Sequence, residues 1–263
     1  MNEDEKYLFD LNGYLVLKEI LNDQEVKRLN AAIDVHSDEM QEIDRSLASD
    51  SKAMQGTSRR LDLGGMLSWD QPYCEPFREL LVQPRVKSIL DGILGIGFRL
   101  DHGPGLIAME KGCEGGKLHG GGVERGDISE VYFYKNERIF TGLTVVEYLL
   151  ADEGKGDGGV AVIPGSHKAN VKCPEDLLNW DKYQEHVHEV NAKAGDVIIF
   201  TETLTHGTLP WTGSHQRRAL LYKFSPGTVS YGAGSHDISY GDYIQTMTDE
   251  QRMVMESPHL RRS

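Results

Sequence analysis

Cysteine is scarce in this chain: Cys74, Cys113 and Cys173 are all there is in 263 residues. Their odd number and wide spacing exclude a C-x-x-C zinc or dithiol motif and predict free thiols in a reducing compartment. Long hydrophobic runs are also missing. No stretch approaches the roughly 18 apolar residues that cross a bilayer, and the acidic residues 1–6 lack the apolar core of a signal peptide. The expectation is a cytoplasmic protein without membrane contact. Positive charge is in deficit, with 28 Lys and Arg against 41 Asp and Glu and a formal net charge of -13. Nucleic-acid binding draws its affinity from basic side chains that neutralise phosphates, so a small-molecule substrate is the better expectation. Repeats, low-complexity tracts and dividing linkers are absent, and nothing in the sequence fixes the oligomeric state.

What is present falls into two halves. Residues 13–17, Gly-Tyr-Leu-Val-Leu, read as a strand. Asn22 followed by Glu25 is an N-cap with an acid three residues on, opening a helix with Val26, Leu29 and Ile33 on one face. Residues 37–65 are polar and glycine-punctuated, with Arg59 and Arg60 near their end, and predict a surface excursion that folds over a site. Two helices follow, over 75–82 and 84–94, the second with proline at its first position. From Phe98 onward short runs rich in branched and aromatic residues (106–109, 140–150, 160–163, 197–200, 219–224) predict an antiparallel sandwich or barrel. The fold class is therefore α+β in one domain, 1–263. A helical part covers about 1–96, a β core about 97–226 and a tail 227–263.

The candidate chemistry lies in His119-Gly120-Gly121, distant His206 and, after it, Arg217. A non-haem iron(II) oxygenase holds its metal with two histidines and a carboxylate on one face, leaving positions for co-substrate and O2. Residues two apart on a strand point the same way, so the carboxylate is expected at position 121, where this chain has glycine. Arg217 has no acidic neighbour in sequence and suits a bidentate grip on a carboxylate, although Arg217-Arg218 also reads as a solvated pair at a strand end. His186 and His188 stand in a charged run with Glu185 and Glu189 and read as a solvated face. Trp69, Tyr132 and Tyr134 are suited either to line a pocket or to pack, and Arg59 and Arg60 either to meet an anionic substrate or to lie solvated.

Taken in order, Asn12-Gly13-Tyr14-Leu15-Val16-Leu17, Pro84-Arg85-Val86, Gly158-Gly159, Val162-Ile163-Pro164-Gly165-Ser166-His167, Gly195-Asp196-Val197-Ile198-Ile199-Phe200, His206-Gly207-Thr208 and Arg217 resemble the phytanoyl-CoA dioxygenase family of Fe(II)- and 2-oxoglutarate-dependent oxygenases. The resemblance implies a double-stranded β-helix, a jelly-roll or cupin-like barrel, buttressed by the N-terminal helices. It implies Fe(II) held by His119 and His206, 2-oxoglutarate gripped by Arg217 with Thr208 nearby, O2 as co-substrate, and a structural His167.

Gly121 departs from the hydroxylating members, which carry an acid there, and is similar to related iron halogenases, in which chloride or bromide occupies the vacated position. A missing carboxylate leaves a less anionic site that a halide can enter. Radical halogenation of an unactivated carbon is the leading expectation, with His119, His206 and Gly121 as the catalytic set. Three alternatives stay open. Glu124 or Asp127 folds back to supply the acid for a hydroxylase, the chain is a binding protein on an oxygenase fold, or the glycines simply form a tight bend at a barrel corner.

Overall fold

The computed structural model describes residues 1–43, 51–121, 131–231 and 240–259. Its elements run α1 (Glu3–Asn12), β1 (Tyr14–Leu17), α2 (Asp23–Val35), β2 (Gln41–Glu42), β3 (Leu61–Leu63), α3 (Glu75–Leu80), α4 (Pro84–Ile93), β4 (Arg99–Met109) and β5 (Gly116–His119). The second half continues with β6 (Tyr132–Lys135), β7 (Arg138–Thr141), β8 (Thr144–Leu149), β9 (Gly159–Val162), α5 (Glu175–Leu178), β10 (His188–Glu189), β11 (Val197–Thr201), β12 (His206–Leu209), β13 (Arg217–Ser225) and α6 (Asp249–Val254).

The helix starts follow the local chemistry. The Asn22 side chain accepts from the backbone N–H groups of Gln24 and Glu25, and the Glu25 carboxylate accepts from the Asn22 N–H, closing a capping box at α2. Pro84 opens α4, where a missing N–H costs nothing, and Gln83 caps it through the Val86 N–H. The apolar face of α4, Val86, Ile89, Leu90 and Ile93, is buried in the main core. Each such side chain contributes roughly 1.5–3 kcal/mol of hydrophobic burial. An acidic capping box at Asn2 and Glu5 also starts α1, a helix the hydrophobic pattern did not announce.

Two antiparallel sheets face each other. One has seven strands in the order β1-β11-β8-β13-β4-β3-β2, the other four in the order β10-β9-β12-β5, and β6 and β7 form a separate hairpin. This is the cupin-like double-stranded β-helix, with helices packed on the larger sheet. β8, β9 and β11 are buried at every residue, as their near-continuous apolar runs require when both faces are covered. The apolar stretch over 140–150 is two strands, because the chain breaks at Gly142-Leu143 between β7 and β8.

Two expectations about surface segments change. Within 37–65 the described residues are not only a surface excursion, since β2 and β3 extend the large sheet beside β4. Beyond 227, Met247, Val254 and Met255 join the main core, so α6 packs as part of the body. The motif residues near the start have a packing role. The Gly165 N–H donates to the Asn12 carbonyl, and a side chain at Gly13 would meet the His167 ring at 2.5 Å. His167 is buried, bonds the Asp10 carbonyl through Nε2 and is driven down to about 4 by burial, in keeping with a structural role. None of the three cysteines is joined in a disulfide. No described helix is long and apolar enough to cross a membrane.

Candidate metal centre

The four-stranded sheet builds the centre by register. His206 opens β12 and pairs directly with His119 at the end of β5, and with Val162 of β9 on its other side. The two imidazole rings therefore lie with centroids 4.3 Å apart, although the histidines are far apart in sequence. The ring orientations are fixed from behind. His206 Nδ1 lies 2.7 Å from the Leu204 carbonyl and His119 Nδ1 lies 3.2 Å from the Lys117 carbonyl. A carbonyl only accepts, so each Nδ1 carries the proton and each Nε2 presents its lone pair, the tautomer that binds a metal. Burial, reinforced by the neighbouring His119, holds the His206 imidazole neutral by lowering it to about 4.

Glu202 completes a cluster that sequence reasoning missed. Its Oε1 stands 3.9 Å from Nε2 of both histidines, and the three donor atoms all lie within 4.8 Å of one another. At 3.9 Å these contacts are too long to be hydrogen bonds. Two imidazoles and one carboxylate are the donor set that suits a non-haem Fe(II). Glu202 is 6% exposed, and its Oε2 accepts from Lys223 Nζ at 3.3 Å. Burial pushes its carboxyl up, and His206, Lys223 and His119 together pull it below the ordinary value, so it is a carboxylate at neutral pH. The available signal was a lone acid just after the apolar run of β11, four residues before His206.

Gly121 does not continue β5. The strand ends at His119, and Gly120 and Gly121 follow with φ of +93° and +102°, so the alternation that would aim residue 121 with His119 stops before reaching it. Among the described residues, a Cβ added at Gly121 would meet only the Thr205 hydroxyl, at 3.5 Å. Glu124 and Asp127, the other acids considered, lie outside the described residues.

A cavity of about 1300 Å³ runs between the two sheets to this centre, lined by His119, Gly121, His206, Thr208, Glu147 and Arg217. Thr208 shares the cavity face of β12 with His206. Arg217 is fully buried and is not without acidic neighbours, as the sequence suggested. Its Nη2 bonds Glu147 at 2.6 Å and its Nε meets Glu153 at 2.8 Å, both acids being 1% exposed and far away along the chain. Among the described residues Nη1 has only the thioether of Met109, at 3.8 Å, a weak acceptor that leaves it suited to a further carboxylate. Burial, with Glu153 adding to it, raises the Glu147 carboxyl to about 7 against the pull of Arg217.

The remaining candidates sort cleanly. Trp69 stacks on His36 at 3.8 Å, Tyr132 donates to Asp10 and packs on His167, and Tyr134 is exposed beside Lys6, so these aromatics pack or lie outside rather than line the cavity. His186 and His188 are exposed. Arg60 lines the cavity and is ion-paired with Asp62 at 2.7 Å, while Arg59 faces Glu42 at 3.8 Å.

Comparison with known proteins agrees with this architecture. The phytanoyl-CoA dioxygenase family model matches residues 9–219. The chain belongs to that family. Membership brings the family's general chemistry, iron- and 2-oxoglutarate-dependent oxidation. No curated protein sequence matches the chain. Among solved structures it is similar to HygX from Streptomyces hygroscopicus with nickel, 2-oxoglutarate and hygromycin B bound, at 18% identity and a TM-score of 0.71, covering 98% of this chain and 97% of that one. It is also similar to the non-haem α-ketoglutarate-dependent carbocyclase SnoK from nogalamycin biosynthesis, at 15% identity and a TM-score of 0.61, covering 100% of this chain and 94% of that one. At these identities the likeness is one of fold.

Proposed function

We propose that this family member oxidises an unactivated C–H bond of a polar small molecule, using Fe(II) held by His119 and His206, O2 and 2-oxoglutarate. The reading rests on the convergence of both Nε2 lone pairs, with tautomers fixed by backbone carbonyls, in a cavity that Arg217 and Thr208 also line. Bound iron would supply the activation of O2 and 2-oxoglutarate, which leaves as succinate and CO2. The protein's own part is to orient the reactants and exclude water. Arg217 would hold a co-substrate carboxylate through Nη1, with the Thr208 hydroxyl close by. The cavity wall carries both signs, including Asp38, Glu39, Arg60 and Lys117, and Arg60 is already engaged by Asp62. This favours a substrate rich in polar groups over one selected only for negative charge.

Oxygen transfer is the preferred outcome because a carboxylate, Glu202, already stands beside the two imidazoles. A second reading, halogenation with chloride or bromide, is favoured by glycine at position 121, where an added Cβ would meet only the Thr205 hydroxyl among the described residues. The test is an anaerobic absorbance titration of the protein with Fe(II) and 2-oxoglutarate in chloride-free buffer, followed by chloride. A metal-to-ligand charge-transfer band that ignores chloride is the expected result. A saturable shift of the band with chloride moves the assignment to halogenation, and no band at all refutes the iron site.

A further inference from the structure

We propose that Glu202 is the third protein ligand of the metal, delivered by the turn between β11 and β12, and that residue 120 is glycine because that turn packs against it. The inference rests on the iron reading above and goes beyond it. It replaces the idea of a missing ligand with that of a relocated one.

Three observations carry it. The first is aim: Oε1 faces both ligand nitrogens at 3.9 Å, while Oε2 is taken by Lys223. A buried carboxylate needs compensation on both oxygens, and a cation between the three donors provides it for Oε1. The second is how the turn is pinned. The Glu202 N–H donates to the Leu143 carbonyl at 2.8 Å and the Gly121 N–H donates to the Thr203 carbonyl at 2.8 Å, so the acid-bearing turn is tied both to β8's entry and to the glycines themselves. The third is steric. A Cβ on residue 120 would sit 2.5 Å from the Leu204 carbonyl oxygen and 2.7 Å from that of Glu202, both backbone atoms of this turn. A side chain at 120 would force this turn, and the backbone of Glu202 with it, to shift.

The usual position two residues past the first histidine is unusable for a separate reason. The strand has already ended, and residue 121 has a positive φ that side-chain-bearing residues avoid. A carboxylate arriving four residues before the second histidine, from the turn between β11 and β12, restores the same donor set. A halide is then no longer needed to complete it.

Cobalt(II) binding to the apoprotein tests this without turnover, by calorimetry and by the visible d–d bands that report coordination. Glu202→Gln, which preserves shape, is expected to weaken cobalt binding roughly 100-fold, at or beyond the upper end of what even outer-sphere changes cost. Glu202→Ala is expected to make the cobalt bands respond to chloride, while the wild-type bands do not. Glu124→Ala and Asp127→Ala are expected to bind cobalt as the wild type does. Thermal unfolding of each metal-free variant verifies that it is folded. If Glu202→Gln binds cobalt within about threefold of wild type while His119→Ala abolishes binding, the relocated ligand is refuted and the iron site stands. Equal chloride response in wild type and Glu202→Ala also overturns it. If the wild type itself takes no cobalt, the iron reading falls and the inference with it.

Discussion

Removing the Arg217 guanidinium should destabilise the fold in a way that acid repairs. Arg217, Glu147 and Glu153 are each 1% exposed and ion-paired at 2.6 and 2.8 Å, so two acids share one cation inside the barrel. In Arg217→Met both carboxyls lose the one buried cation that the described residues give them. Breaking a buried pair by removing one partner typically costs about 3–5 kcal/mol, a large share of a stability on the order of 5–15 kcal/mol. The glutamates can escape only by entering the fold protonated. Each one that does so makes stability fall with rising pH by up to about 1.4 kcal/mol per pH unit. Urea unfolding followed by tryptophan fluorescence at pH 5.5 and 7.5 should therefore show a much larger deficit at the higher pH. The triple variant Arg217→Met, Glu147→Gln, Glu153→Gln should recover at least half of it. A variant as stable as wild type at pH 7.5, or one equally weakened at both pH values, would refute the charge-balance argument.

Wild type should show a milder form of the same linkage. Glu147 is raised to about 7 from an unfolded value near 4.5, so the folded state holds the extra proton between those values. Stability from this group is complete below about pH 4.5 and lost as pH rises through 7, amounting to roughly 3 kcal/mol at most. The difference between wild type and Glu147→Gln across that range isolates it, and a flat difference would count against the assignment. Gly120→Ala should cost roughly 1–3 kcal/mol in urea unfolding, from its positive φ and the backbone contacts at 2.5 and 2.7 Å. Its cobalt affinity should fall with it, and unchanged affinity would show that the turn tolerates displacement. Nickel(II) at about 100 times its dissociation constant should stabilise the wild type by about 2.7 kcal/mol and leave His206→Ala unaffected. Equal stabilisation of both proteins would point to binding elsewhere.

Much of the scaffold was legible because it is set by near neighbours. The capping box at Asn22 and Glu25, the proline start of α4, and the apolar runs of β1, β11 and β13 are all local choices of the chain. The helix at Glu3–Asn12 was not announced, because its face is weakly apolar and only Phe9 is buried. Of the centre, His119 and His206 could be singled out by residue type and surroundings, and Arg217 by its place after them.

What the sequence by itself determined, then, is much of which segments form strands and helices, and that two histidines and an arginine stand out as candidates to hold a metal and a carboxylate. The tertiary structure alone decided which acids join them. Glu202 reaches the histidines because β12 pairs with β5 in a register that sets His206 opposite His119 and folds the preceding turn against Gly120. Glu147 reaches Arg217 because β8 lies beside β13, and Glu153 reaches it from just beyond β8, where its backbone bridges to Ala192. Periodicity and capping are properties of adjacent residues. Convergence of side chains from distant strands is a property of register and sheet stacking, and one chain position carries no local trace of what lies across the barrel.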